Sequence, residues 1–152
     1  MWLLEAESPR RVSLRKGDLF QKLFRALQPG GVLFVVDFVC RDEGFGACST
    51  HFAFYAKSRG IELCTTAQYR RELVEAGFEV RWDRDETSKL EAWTKQELAK
   101  LVEEETSFKR AVKEGHYHAD MRKTWQWKDE CIRVSKDMKL VAFAAIKPSA
   151  PI

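Results

Sequence analysis

The stretch Leu27-Gln28-Pro29-Gly30-Gly31-Val32-Leu33-Phe34-Val35-Val36-Asp37-Phe38-Val39 decides the fold. Its opening cannot continue a helix, because proline lacks an amide proton and the two glycines lose the most backbone freedom on ordering. The run from Val32 onward is apolar without alternation, which is how a strand covered on both faces of a parallel α/β sheet reads. Upstream, Asp18 is placed to cap a helix in which Leu19, Phe20, Leu23, Phe24 and Leu27 recur at helical spacing. Helix, sharp stop and apolar strand form an α/β unit, and such a strand needs neighbours on both sides.

The chain continues with a glycine-containing loop from Arg41 to Thr50 and a short aromatic segment, His51-Phe52-Ala53-Phe54-Tyr55, long enough for one or two helical turns. Thr65 with Gln68 is a capping-box pattern opening a helix through Tyr69, Leu73 and Val74, which stops at Gly77. Phe78, Val80 and Trp82 alternate as a strand. A second capping box, Thr94 with Glu97, is expected to open a long helix carrying Leu98, Leu101, Val102, Phe108 and Val112, ended by Gly115. A further helix spans Trp127, Cys131 and Val134, and Leu140 to Ile146 is an apolar strand closed by Pro148. Three strands are too few to bury the first of them, so the chain reads as part of a larger sheet.

Composition narrows the function. The 152 residues favour one domain, and 26 Lys and Arg against 23 Asp and Glu leave a net charge of +3 with both signs interspersed, which disfavours a dedicated nucleic-acid binder. Cys40, Cys48, Cys64 and Cys131 show neither a C-x-x-C pair nor metal-like spacing, and the chain opens without a signal-peptide pattern, so a cytoplasmic location is expected. Trp2-Leu3-Leu4 is far short of the ~20 apolar residues of a membrane span.

The Arg25-Ala26-Leu27-Gln28-Pro29-Gly30-Gly31-Val32-Leu33 segment followed by Asp37 resembles the later half of class I S-adenosylmethionine-dependent methyltransferases. Tyr69-Arg70-Arg71-Glu72-Leu73-Val74-Glu75-Ala76-Gly77-Phe78 is similar to that family's Y-x-x-x-L-x-x-A-G-F pattern. Within the superfamily the chain resembles the phosphoethanolamine N-methyltransferases, through Phe54 to Tyr69, the helical insertion and Trp125-Gln126-Trp127-Lys128. The resemblance implies an α/β fold with a partial Rossmann-like sheet, made of the C-terminal strands, and a helical insertion before the last strand. Residues 1–16 would be an N-terminal segment without fixed order, 17–147 the C-terminal half of the domain with 84–136 as a helical lid, and 148–152 a tail.

The resemblance further implies S-adenosylmethionine as cofactor, a phosphobase such as phosphoethanolamine as substrate, and a setting in phosphocholine biosynthesis. Arg59 and Lys128 fall where the family binds the substrate phosphate, and a guanidinium fork with an ammonium suits a phosphate dianion. Two tyrosines of the family are here Phe38 and Ile61, and its methyl-transfer Asp and His positions hold Ala6 and Arg10, so no catalytic residue is assigned. The family's glycine-rich cofactor loop lies earlier and finds no counterpart, and Gly30-Gly31 ends a helix where an anion site would begin one. The partner expected is therefore a complementary N-terminal half, or a second copy. A split enzyme and a non-catalytic phosphobase-binding or regulatory half-domain stand as alternatives.

Other candidates carry two readings each. Asp37, at the C-terminal end of its strand, is at the edge where α/β sheets bind ligands, or it is a local backbone cap. Tyr117 orients a substrate or packs a loop. His116, His118 and Asp120 are surface polar groups in a loop between helices, lacking the third spaced ligand a zinc site needs. Trp93, Trp125 and Trp127 pack the insertion onto the sheet or hold a choline-like cation. The cysteines are small, partly buried apolar residues.

Overall fold

The computed structural model describes residues 16–58, 60–61, 63–111 and 115–149, with side chains for all of these except 55, 58, 104–111 and 115–119. The expectations for Ala6 and Arg10, for the Trp2-Leu3-Leu4 cluster and for Val112 lie outside the described residues, as does the side chain of Phe108. Asp18 lies inside the first helix, α1 (Lys16–Ala26 among the described residues), and not at its cap. There the carboxylate still complements the helix dipole. Lys16, already helical, meets Asp37 with its ammonium at 2.6 Å and lies 4.5 Å over the Tyr69 ring.

The Pro29-Gly30-Gly31 stop is built as expected. Gly30 takes φ 78°, its amide donates to the Lys147 carbonyl, and the Lys147 ammonium caps the carbonyls of Phe24 and Leu27 at 2.8 Å each. Strand β1 (Val32–Cys40) leaves this turn, and a loop with one 3-10 turn at Phe45–Ala47 leads to α2 (Thr50–Ser58). The capping box at Thr65 is complete: Gln68 N donates to Thr65 Oγ1 at 3.1 Å and Thr65 N to Gln68 Oε1 at 2.9 Å. It opens α3 (Thr66–Glu75). Gly77 ends that helix at φ 102°, and a Cβ there would lie 2.8 Å from the Phe24 ring, so glycine is required twice over.

Strand β2 (Glu79–Asp85) is bulged between Val80 and Trp82. The expected simple alternation is therefore broken, with Val80 opposite Ala145 and Trp82 opposite Ala144, on the other face. The insertion is α4 (Thr87–Ala111), α5 (Gly115–Asp129) and a π-helical turn (Glu130–Val134), and it precedes β3 (Met138–Ile146). Two boundaries differ from expectation. Thr94 does not cap α4; it lies in mid-helix, fully buried, and its hydroxyl has no partner among the described residues. The chain turns into α4 earlier because Asp85 accepts from the Thr87 amide at 2.8 Å and because Leu90, one turn ahead of Thr94, already packs into a core. Gly115 is itself helical, within α5, so His116 and His118 lie in a helix and not in a loop.

The architecture is α/β, a three-stranded antiparallel sheet in the order β1-β3-β2. One face is covered by α1 and α3, which bring Phe20, Tyr69 and Leu73 against Val141, Phe143 and Ala145. Tyr69 stacks on Phe143 with ring centroids 4.4 Å apart. A second core gathers where β1 ends and β3 begins, from Cys40, Phe52, Leu63, Leu90, Cys131, Ile132 and Met138. The expectation of a doubly covered β1 in a parallel sheet is overturned for the described residues. The strand pairs antiparallel, on one side only, and Val32, Phe34 and Val36 are 59%, 60% and 48% exposed. An apolar run marks the environment in which a strand is stable, and the three strands and two helices around it do not supply that environment.

Candidate functional site

At the C-terminal end of β1 three separate segments are tied together by one buried carboxylate. Asp137, fully buried ahead of β3, accepts from the Ser49 amide at 3.2 Å and the Ser49 hydroxyl at 2.5 Å, with the Arg41 guanidinium at 3.8 Å. Its amide donates to the Cys131 carbonyl and its carbonyl accepts from the Arg41 amide. Ser49 Oγ in turn accepts from the Phe52 amide, capping α2. The loop after β1, the start of α2 and the return of the insertion are thus fixed to one point. Sequence reasoning missed both residues, and the available signal was the Ser49-Thr50 pair ahead of the aromatic helix.

On this base α5 docks against α2. Trp127 stacks on Phe52 at 6.1 Å with an interplanar angle of 1°, and His51 lies 6.3 Å from the same ring. Trp93 of α4 meets Trp125 of α5 edge-on at 4.9 Å. Trp127 thus packs the insertion against α2 and the second core, while Trp93 and Trp125 meet within the insertion. Lys128, partly buried, lays its ammonium 4.4 Å over the Trp125 ring.

The remaining candidates are distributed unevenly around this cluster. Phe38 is partly buried against the second core, and Ile61 is 41% exposed just beyond α2. Arg59 lies outside the described residues, immediately after the last residue of α2. Tyr117 is in α5 and its side chain is likewise outside the described residues, as are those of His116 and His118. Asp37 bonds outside the cluster. Its carboxylate accepts from Lys16 at 2.6 Å and from the Phe38 amide at 2.7 Å, and it lies close enough to Tyr69 to help push that phenol above its usual range, after burial itself.

All four cysteines are free thiols. Burial raises Cys40 to about 11 and Cys131 to about 12, and it shifts Cys48 and Cys64 upward as well. They remain protonated near neutral pH and act as packing groups. Gly30 and Gly31 offer no anion cradle, because their amides are spent on the carbonyls of Lys147 and Gln28 at 2.8 Å each. The N-terminus of α3 is closed by its own capping box. No helix among the described residues is long and apolar enough to cross a membrane.

No family model matches the chain. Over 93 residues, 61% of its length, it is 33% identical to Phosphoethanolamine N-methyltransferase 3 of Arabidopsis thaliana and to a Phosphoethanolamine N-methyltransferase of Triticum aestivum. The match covers 18% of the length of those relatives. Among solved structures, phosphoethanolamine N-methyltransferase 2 of Haemonchus contortus, in complex with phosphomonomethylethanolamine and S-adenosylhomocysteine, superposes with a TM-score of 0.77. The alignment is 22% identical and covers 88% of this chain and 30% of that one. The cyclopropane synthase MmaA2 from Mycobacterium tuberculosis gives 0.73 at 17% identity, over 86% of this chain and 49% of its own.

Proposed function

We propose, for a chain with the fold of the class I methyltransferases and a sequence like that of phosphoethanolamine N-methyltransferase, that it forms the substrate-side portion of a phosphobase N-methyltransferase. Arg59 and Lys128 bind the substrate phosphate. The observation that carries this reading is the stack of Trp127 on Phe52, which holds the helix bearing Lys128 against the helix that leads into Arg59. A guanidinium and an ammonium brought to one place neutralise a phosphate dianion, and the guanidinium does so through a planar fork. With Phe38 and Ile61 in place of phenols, the pocket holds its ligand through the phosphate charge and apolar contact, not through hydroxyl donors to the base. The setting this implies is phosphocholine biosynthesis, in the cytoplasm.

The cofactor of such an enzyme is S-adenosylmethionine. The glycine amides at the α1 stop are taken up by the fold, so no transfer step is assigned to the residues described, and the donor is held by elements other than these. The same observation favours a second reading, a non-catalytic phosphobase-binding module. Titration calorimetry with phosphocholine tests the phosphate site common to both: Arg59→Ala and Lys128→Ala should each weaken binding at least about tenfold, the scale of one lost charge-assisted contact. Unchanged affinity in either variant sinks the site. Methylation of phosphoethanolamine by the chain alone overturns the non-catalytic reading.

A further inference from the structure

Between Glu7 and Asp18 the chain carries four cations, Arg10, Arg11, Arg15 and Lys16, and no carboxylate. In their midst stands Ser13, in the order Arg10-Arg11-Val12-Ser13-Leu14. Guanidiniums three and two residues ahead of a serine, with an apolar residue directly after it, suit a serine kinase whose substrate groove is acidic. Each guanidinium can fork onto a carboxylate of such a groove, which an ammonium does less specifically. Ser13 lies outside the described residues, which begin at Lys16.

No other serine or threonine of the chain has arginine at both of those places, and the fold withdraws the nearest approximations. Ser135 follows Arg133 by two residues, but that guanidinium is forked onto Asp129 at 2.8 and 3.2 Å, and the Ser135 hydroxyl bonds to the Glu130 and Cys131 carbonyls. Thr124 follows Arg122 by two residues, but it lies within α5 and its hydroxyl donates to the Asp120 carbonyl at 2.9 Å. Thr87 has Arg84 three residues ahead, yet Asp85 and Glu86 between them carry the wrong sign for an acidic groove.

The described structure opens with the group that a phosphate on Ser13 would meet. Three residues of chain reach about 11 Å at most, so the phosphate stays near Lys16. That ammonium ties the start of α1 to Asp37 of β1 at 2.6 Å and lies 4.5 Å over the Tyr69 ring. The side chains of Lys16 and Asp37 keep 24% and 35% of their surface exposed, so the pair is open to a tethered dianion. A phosphate with nearly two negative charges competes with a single carboxylate for that ammonium.

We infer that Ser13 is the acceptor of a basic-directed serine kinase, and that its phosphate draws on Lys16 and loosens the tie between α1 and β1. In the transfer the Ser13 Oγ bonds to the γ-phosphorus of ATP while the bond from that phosphorus to the bridging β-phosphate oxygen breaks. ADP leaves, and the hydroxyl proton passes to the kinase's carboxylate base. The site does not depend on the phosphobase reading.

The test incubates the whole chain with magnesium ATP and the catalytic subunit of cyclic-AMP-dependent protein kinase, a serine kinase of this class, and locates the phosphate by peptide mass spectrometry. One phosphate should appear on Ser13, absent in Ser13→Ala and slowed at least about tenfold in Arg10→Ala and in Arg11→Ala, the scale of one lost charge-assisted contact. Hydrogen exchange at residues 20–23 of α1 should then rise about two- to fivefold in the phosphorylated chain, the worth of a partly exposed ion pair, and should not rise in phosphorylated Lys16→Gln. No incorporation, a phosphate on Ser135 or Thr124 instead, or rates indifferent to both arginines overturns the site. Unchanged exchange, or a rise that persists in Lys16→Gln, overturns the action on Lys16.

Discussion

The sheet's two outer strands differ in what they ask of their surroundings. Strand β2 needs only its one neighbour. Arg81 pairs with Glu79 at 2.9 Å, Arg70 of α3 with Asp83 at 2.5 Å, and Arg84 lies 5.1 Å over the Trp82 ring. Strand β1 carries the residues of an inner strand at an outer position: Leu33, Val35 and Val39 pack on the first core, while Val32, Phe34 and Val36 on its other face are exposed. The difference teaches that burial follows the finished sheet and not the segment at hand. The same three strands contain one edge closed by charge and one left apolar among the described residues.

The largest effect should come from removing what the two edges share. Phe143 of β3, buried beneath Tyr69 between both outer strands, should cost about 3–5 kcal/mol on replacement by alanine, and urea unfolding would show both edges lost in one transition. Uncoupled melting of β1 and β2, followed by exchange at each strand, would break the comparison at its root.

Next in size is the clasp at the covered end of β1. Asp137→Ala removes the acceptor of the Ser49 amide and hydroxyl and should cost about 2–3 kcal/mol, because buried donors are left unpaired. Ser49→Ala, which also removes the cap of α2, should cost about 1–2 kcal/mol. Both are read from denaturant midpoints at constant slope. A larger effect from Ser49→Ala than from Asp137→Ala would show that the cap and not the clasp holds the loop.

Alkali probes the same end more gently. Cys40 closes β1 and Cys131 packs against it, and their thiols stand at about 11 and about 12 against an ordinary 9.0, with burial the main cause. The native state keeps these protons while the unfolded chain releases them. Their contribution to stability is therefore whole below about pH 9 and falls as pH rises through 11 to 12. Cys40→Ser and Cys131→Ser should flatten that decline in a pH series of melting temperatures, and an unaltered slope would contradict it.

The smallest stability effects should come from the edges themselves, and there the two strands part company. Phe34→Lys on β1 and Arg81→Ala on β2 should each change stability by less than about 1 kcal/mol. Only the first should lower the binding of an apolar dye and raise solubility. Equal behaviour of the two would mean that β1 is no less finished than β2.

Local chemistry explains which parts of this molecule could be read from the sequence. The Pro29-Gly30-Gly31 stop and the Thr65–Gln68 box are set by backbone freedom and by side chains three residues apart, and both stand where expected. Thr94 and Glu97 have the same spacing without becoming a cap, because Asp85 and Leu90 start the helix earlier and bury Thr94 within it. The apolar run of β1 was legible as strand but not as edge, since composition records the environment a strand suits and not its neighbours. Asp37 could be placed at a strand end, but its partner Lys16 is 21 residues away, and no local pattern announces that pairing. Asp137 and Ser49 are farther apart still, so the clasp that organises the candidate site emerges only in three dimensions.

Residue-resolved hydrogen exchange on β1 and β2 tests the central claim most directly. In the chain alone, the outward amides of Val32–Val36 should exchange as fast as the outward amides of β2. Slow exchange of the outward β1 amides in the monomer would contradict the assignment of β1 as an open outer strand.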